Sequence, residues 1–392
     1  MSVRFPVVPD LTSCLRQLLA QVPAGRVSTC GDLARALGNR IAAKWVGHFA
    51  LHHEHDEACT CHRILRAGGS LGGYIEGSTE AKAGRLETEG IEVRQEGVDR
   101  PSSVNTLGAT AGLSSSARNT VGQANRGTRH FSSVGSVVDL ERFGFRDFAS
   151  DRPLIRLREI QEDIQSKIVL RPRRRIPKFV GGVDVSYPTP ETGVAAYALV
   201  ETATGRLVWS TTVRRRVAFP YISTYLSFRE VPILLELLDA VRAAGRLAEV
   251  LLVDGSGVLH QRHAGVASHL GVVASLPTVG VTKKLLFGQV DIEGMSPGES
   301  RPVTLARSAS EGTQSVPSLA LWASVTGVVG VALRTTAGSQ RPIFISPGHR
   351  VDVDFCERLV RRLLTGRRLP EPLYWADRIS RTEGKATADE RR

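Results

Sequence analysis

The sequence predicts an α/β protein of two parts, a larger C-terminal layer of mixed strands and helices preceded by a small helical module. Three observations carry this reading. From Val180 to about Ala376, strand-like and helix-like stretches alternate, the pattern of a sheet covered by helices. Two apolar runs, Phe179-Val-Gly-Gly-Val-Asp184 and Val250-Leu-Leu-Val-Asp254, read as buried strands that each end in a carboxylate. Between Pro101 and Val138 the chain is rich in Ser, Gly, Thr, Asn and Ala and lacks Asp and Glu. Such a stretch cannot bury enough apolar surface to offset its ordering entropy, so it reads as a flexible basic linker.

In chain order, residues 1–95 form the small module, with helical patterning over Leu11–Leu19 and again from Gly31 to Leu51. The linker occupies 96–148 and carries Arg118, Arg126, Arg129 and His130. An amphipathic helix follows Asp151 and runs through Ile160 and Ile164, opening a domain over 149–378. Within it, strands are expected near 179–186, 193–201, 206–217, 249–254, 277–282, 327–335 and 342–346, and a helix near 224–243. Ser296–Ser318 reads as a polar loop and 379–392 as a disordered tail, with no internal repeat.

A net charge of +12 and a pI near 9.9 favour a polyanionic partner, nucleic acid first. Basic residues cluster at Arg171–Arg175 and Arg214–Arg216, although any one such run reads equally as solvated surface. Five unevenly spread cysteines argue against a disulfide framework and for a reducing compartment. No apolar stretch approaches the roughly 20 residues of a membrane span, and Met-Ser-Val-Arg-Phe-Pro lacks a signal-peptide core. The expectation is a soluble, cytoplasmic protein without a membrane or obligate protein partner.

The two acidic strand ends are the most informative chemistry. A buried carboxylate needs a partner charge or a metal. Either Asp alone also reads as a strand cap or turn; the pair, on neighbouring strands, points to a site for a divalent cation such as Mg²⁺. Between them lies Phe219-Pro-Tyr221-Ile-Ser-Thr-Tyr-Leu-Ser-Phe-Arg229-Glu230, a turn leading into a helix. Glu230 sits where it can present a third carboxylate. Tyr221 is placed to stack on an unpaired base, or else to anchor its loop, with Arg229 expected on the same DNA-facing side. Lys283-Lys284 suits phosphate, and His349 can position water or a metal.

The ordered set Gly182-Val-Asp184-Val-Ser-Tyr, Pro220-Tyr-Ile…Ser227-Phe-Arg-Glu230, Asp254-Gly-Ser-Gly…His260-Gln-Arg262, Gly280-Val-Thr-Lys283 and Pro347-Gly-His349-Arg350 resembles endonuclease V over roughly residues 150–378. The resemblance implies an RNase H-like fold and Mg²⁺-dependent cutting of DNA at the second phosphodiester 3′ to deoxyinosine, with Mn²⁺ as a substitute. It implies that Asp184, Asp254 and Glu230 hold the metal, that Tyr221 is the lesion-probing wedge, and that Lys283 and His349 lie beside the scissile phosphate. Ser223 stands where the family has a second proline in the wedge loop, which is expected to loosen that loop.

In the small module, Gly38-Asn39 followed by Ile41-Ala-Ala-Lys-Trp-Val-Gly47 gives helix–turn–helix spacing. Downstream, Cys61-His62 places a thiol beside a base that can take its proton. Val22-Pro-Ala-Gly-Arg-Val-Ser-Thr29, Gly31–Asn39, Cys61-His-Arg and Ser70-Leu-Gly-Gly-Tyr74 resemble the O6-alkylguanine-DNA alkyltransferases over residues 5 to about 95. The resemblance implies irreversible alkyl transfer to Cys61, with His62 and Glu89 as proton relay. Lys44 falls on that family's arginine finger, Cys30 on its phosphate-crowding tyrosine and Thr60 on the proline before the acceptor. The implied partner of the whole chain is DNA carrying deaminated or alkylated bases. Two alternatives stay open for the module: a lesion-binding domain without transfer, and a Zn²⁺ site drawn from His52, His53, His55, Cys59, Cys61 and His62.

Overall fold

The computed structural model describes residues 5–56, 59–95, 135–305 and 327–389, with side chains to 385. Most of the expected linker, 96–134, and part of the expected polar loop, 306–318, lie outside the described residues. Contacts divide the chain into a smaller unit, Arg16–Ala36 with Val46–Ala149, and a larger one, Met1–Leu15 with Leu37–Trp45 and Ser150–Arg392.

The N-terminal stretch runs α1 (Leu11–Ala20), β1 (Ser28–Thr29), α2 (Cys30–Ala36), α3 (Ala43–His52), β2 (Ile64–Leu65), α4 (Thr79–Thr88), β3 (Val93–Gln95), β4 (Ser136–Val138) and α5 (Leu140–Phe143). The helix–turn–helix spacing is realised in α2 and α3. Gly38, at φ +104°, supplies the left-handed turn between them, and Asn39 Oδ1 accepts the Ile41 amide. Lys44, in the first turn of α3, is exposed. The smaller unit's core joins Val27, Leu65, Leu71, Leu86, Ile91, Val138 and Phe143. The last of these correct the expected linker: from Ser136 the chain is structured, because Val138 pairs with Val93 and Phe143 is buried.

The larger unit continues with α6 (Pro153–Ser166), β5 (Phe179–Thr189), β6 (Thr192–Glu201), β7 (Leu207–Arg216), α7 (Leu226–Ala243), β8 (Leu251–Asp254), α8 (Val266–Ala274), β9 (Thr278–Thr282), β10 (Ser300–Thr304), β11 (Val328–Leu333), β12 (Ile343–His349), α9 (Val353–Arg362) and α10 (Glu371–Asp389). Eight strands form one mixed sheet in the order β10-β11-β12-β9-β8-β5-β6-β7. The central trio β9-β8-β5 is parallel and the flanks are antiparallel. Buried clusters cover both faces. Val180, Leu252, Val281 and Phe355 lie in one and Val183, Val253, Leu234 and Leu270 in the other. This is the mixed α/β architecture expected, and every predicted strand is present with small shifts of its ends. No described helix is long and apolar enough to cross a membrane.

The expected disordered tail is corrected as well: α10 is helical through Asp389. Its order follows from packing along β5. A Cβ on Gly182 would lie 2.2 Å from the Pro372 carbonyl oxygen, so only glycine admits the helix this close. Farther along, the Ser186 hydroxyl donates to the Ser380 carbonyl, and Gly384 lies against Pro188. Helix and strand therefore run side by side, the twelve-residue advance on the helix (about 18 Å at ~1.5 Å per residue) matching the six-residue advance on the strand (about 20 Å). Gly182→Ala should accordingly lift the start of α10 and cost about 1–3 kcal/mol of stability in denaturant unfolding; an unchanged midpoint would show that the approach is not tight.

Candidate functional site

Parallel pairing of β5 and β8 puts Val183 opposite Val253, so the next residues, Asp184 and Asp254, emerge side by side at the strand ends. Helix α10 adds Asp377. One oxygen from each of the three carboxylates lies within 4.8 Å of the others. The Ser380 hydroxyl is 3.1 Å from Asp184 Oδ2, and Lys283 Nζ is 3.1 Å from Asp254 Oδ2 and 3.7 Å from Asp377 Oδ1. Arg381 also reaches Asp377, at 2.9 Å. Burial, then the charges of Asp254 and Asp377, push the Asp184 carboxyl from 3.8 up to about 7. Burial alone would pull Lys283 down, but Asp254, Asp377 and Asp184 hold its ammonium above the usual range.

A cleft of about 970 Å³ opens over this cluster and is lined by Tyr221, Glu230 and Lys283 along with the three Asp residues. Tyr221 is 63% exposed at its rim. Its loop is not loosened by Ser223, because the next carbonyl is pinned: Thr224 O accepts from Gln161 Nε2 (3.0 Å), His260 Nε2 (3.0 Å) and Arg262 (2.7 Å). Thr224 itself has φ +67°. Burial lowers His260 to about 3, so it is a neutral imidazole whose Nε2–H donates.

Among residues expected at this site, Asp184, Asp254 and Lys283 converge, and Tyr221 faces the cleft. Glu230 lines the cleft but falls outside the close carboxylate group, where Asp377 stands. Burial and the charges of Asp184 and Asp254 raise the Glu230 carboxyl well above its usual range. Two expectations are corrected. Arg229 is buried, donates to the carbonyls of Phe219 and Pro190, and stacks 4.1 Å from the Tyr187 ring centroid, leaving it turned inward. His349 pairs with Thr278 at the start of β9, whereas Asp254 is level with Val281. That separation is about 10 Å at ~3.3 Å per residue. His349 Nδ1 instead accepts the Val169 amide at 3.3 Å, and burial lowers its pKa to about 4. Asp377 went unread in the sequence because it sits mid-helix without a strand-end signature.

The smaller unit holds a second cluster. Glu89 Oε1 lies 2.7 Å from His62 Nε2 and accepts from Arg63, while Oε2 accepts the Gly25 amide. Burial would raise Glu89, but these donors hold it below its usual range; burial keeps His62 low and therefore neutral. With Nε2 facing the carboxylate, the hydrogen-free nitrogen is Nδ1, which is buried without a hydrogen-bond partner. Cys61 is buried, and its Sγ lies 3.6 Å from His55 Nδ1. Contact with Cys59, then burial, pushes the Cys61 thiol up. Lys82, also buried, ties the loop together by donating to the carbonyls of Ile64 and Leu71, and burial lowers it to about 8.

Comparison with known proteins gives similarities on both parts. Residues 162–378 match the family described as Endonuclease V, and residues 11–91 match 6-O-methylguanine DNA methyltransferase, DNA binding domain. An endonuclease V of Xylella fastidiosa is 35% identical over 241 residues, 60% of this chain and 91% of the relative. A bifunctional methyltransferase/endonuclease of Picrophilus torridus is 32% identical over 281 residues, 72% of this chain and 77% of the relative. The catalytic domain of human endonuclease V superposes with a TM-score of 0.52 at 33% identity, covering 62% of this chain and 99% of that one.

The raised Asp184 makes a signed prediction for protein without divalent ions. Its folded-state pKa of about 7 exceeds the ordinary 3.8, so the stability it favours is complete below about pH 4 and is lost as pH rises to about 7. Asp184→Asn should therefore be more stable than the native chain at pH 8 in chelator, on the order of 2–4 kcal/mol, with the advantage gone near pH 4. Denaturant unfolding across that range measures it, and a variant less stable at pH 8 would refute the electrostatic account.

Proposed function

Because the chain belongs to the endonuclease V family, we propose that it nicks DNA at the second phosphodiester 3′ to deoxyinosine using Mg²⁺, with Mn²⁺ as a substitute, and that its N-terminal module takes alkyl groups from O6-alkylguanine onto Cys61. At the coarser level the chain is a DNA-repair endonuclease. The observation supporting the finer reading is the group of Asp184, Asp254 and Asp377 at the floor of a cleft rimmed by Tyr221.

The residues present suit a hard divalent cation: three carboxylates converge, and burial with the charges of Asp254 and Asp377 raises Asp184 to about 7, a shift that added positive charge would oppose. Asp184, Asp254 and Asp377 would hold the ion, which would supply an activated water and neutralise charge on the phosphate. The chain's own groups do the rest. Lys283 reaches toward a phosphate from beside Asp254, and Tyr221 offers a ring for a displaced base to stack on. Glu230 adds a further carboxyl group to the cleft wall. The pinned Thr224 carbonyl keeps the Tyr221 loop in place while the base is probed.

In the N-terminal module, residues 1–95 with their helix–turn–helix present Lys44 to the duplex. The Cys61 sulfur attacks the alkyl carbon; the S–C bond forms as the C–O bond breaks, and guanine retains the oxygen and gains a proton. Glu89 orients His62 so that Nδ1 receives the thiol proton. A second reading, a lesion-binding module without transfer, is favoured by the raised Cys61 thiol and by its contact with His55 rather than His62.

Two experiments test these readings. An inosine-containing duplex with Mg²⁺ should be nicked by the native protein, and Asp184→Ala or Asp254→Ala should lower the rate by at least a thousandfold with the fold intact; full activity in either variant removes the assignment. After incubation with O6-methylguanine DNA, intact mass should rise by one methyl group, and the rise should vanish in Cys61→Ala. No gain in the native chain, with lesion binding retained, leaves the binding module as the function.

A further inference from the structure

We propose that His53, His55, Cys59 and Cys61 form a tetrahedral site for a transition-metal ion, zinc above all, in the smaller unit. This goes beyond nicking and alkyl transfer, and it stands whether or not Cys61 accepts alkyl groups.

The geometry carries the argument. One donor atom from each of the four side chains lies within 4.8 Å of all the others. Around zinc, with Zn–N of about 2.0–2.1 Å and Zn–S of about 2.3 Å, tetrahedral edges are about 3.4 Å between nitrogens and about 3.6 Å between nitrogen and sulfur. The structure has 3.4 Å between His55 Nδ1 and His53 Nε2, and 3.6 Å between His55 Nδ1 and Cys61 Sγ. The His53 Nε2 to Cys59 Sγ edge is somewhat tighter at 3.1 Å. The edge lengths are thus close to those of a coordination shell.

The outer partners favour the tautomers such a shell requires. His53 Nδ1 donates to the Phe49 carbonyl at 2.8 Å, which leaves Nε2 bare. His55 Nε2 lies at ion-pair distance, 2.8 Å, from Glu76 Oε1, a negative charge that favours a proton on Nε2 over Nδ1. A carboxylate or carbonyl behind each ligating imidazole is the usual support of a metal-bound histidine. Glu76 is itself held by the Tyr74 hydroxyl and by Arg85. The loop is tied at its far end, where the Thr60 hydroxyl donates to the Leu19 carbonyl at 3.1 Å.

The six donors available from the sequence are thereby reduced to four. His52 turns back to the His48 carbonyl and stacks on the His48 ring, and His62 is engaged by Glu89. Two sulfurs and two nitrogens suit zinc rather than a hard oxygen-seeking ion. Coordination would hold Cys61 as a thiolate without recourse to His62, since metal binding displaces the thiol proton.

The test uses the untagged full-length chain, with zinc and cobalt(II) as probes. Elemental analysis after dialysis should find one tightly held zinc per chain, and cobalt(II) should give the intense visible bands of a tetrahedral site with sulfur-to-metal charge transfer. Cys59→Ser and His53→Ala should each lower zinc affinity at least a hundredfold, while Asp184→Ala keeps the equivalent. Glu76→Gln, which spares the ligands, should weaken zinc about ten- to a hundredfold. Inosine nicking and circular dichroism of the variants verify folding. The proposal is overturned if native protein holds no tight zinc, if cobalt gives only weak octahedral bands, if Cys59→Ser binds zinc as the native chain does, or if thiol titration shows Cys59 and Cys61 joined in a disulfide.

Discussion

Three carboxylates with oxygens inside 4.8 Å repel one another, and the larger unit is organised to hold them there. Two unit charges about 4 Å apart oppose each other by about 4 kcal/mol at an effective dielectric near 20. Lys283 supplies one positive charge against Asp254 and Asp377, which is too little for three ionised groups, so Asp184 takes up a proton near neutrality. A cation placed at the centre would offset that deficit. The scaffold supplies the restoring force: parallel strands β5 and β8 fix two carboxylates in register, and α10 brings the third along a strand whose Gly182 leaves room for Pro372. Without the glycine, the helix cannot descend and Asp377 cannot close the group.

This explains which parts of the centre were legible in the sequence. Asp184 and Asp254 announce themselves because each ends an apolar run, where a carboxylate is conspicuous. The apolar strands β5, β6, β8, β9, β11 and β12 were legible for the same reason, whereas β10 (Ser300–Thr304) overturns part of the expected polar loop because its polar residues pair with β11. Asp377 lies in an amphipathic helix rich in charge, where one more acid carries no signal, and only the packing of Gly182 against Pro372 gives it a place. The expected disorder after residue 378 failed on the same contact: polar composition reads as unstructured, yet Ser380 is fully buried against β5. His349 and Arg229 misled in the opposite direction. Both are residue types common in nucleic-acid sites, and both are spent on the chain's own backbone, His349 on Val169 and Arg229 on Phe219 and Pro190.

The Tyr221 loop shows how a missing rigidifier is replaced. A proline would limit the loop by fixing one backbone dihedral. Here Ser223 leaves that freedom, and the restraint comes from three donors converging on a single carbonyl, Thr224 O. Such a knot is invisible to local sequence reading because Gln161, His260 and Arg262 come from separate parts of the chain. It also ties the Tyr221 loop to α6 and to the segment after β8, so the Tyr221 ring and the Asp254 carboxylate share one frame.

The two clusters differ in donor chemistry, and that difference decides what each can bind. The cluster of Asp184, Asp254 and Asp377 in the larger unit offers carboxylate oxygens, hard donors that suit a hard divalent cation. The loop after α3 offers two sulfurs and two imidazole nitrogens, softer donors whose preference lies with zinc. Selectivity thus follows from the side chains alone, because a Mg²⁺ ion gains little from thiolates. The consequence reaches Cys61. Its sulfur is the implied alkyl acceptor and one of the four donors, whereas His62 and Glu89 form a separate pair beside it. An alkylated sulfur is a neutral thioether and a weaker ligand than a thiolate, so metal retention and alkyl transfer draw on the same atom and each must register in the other.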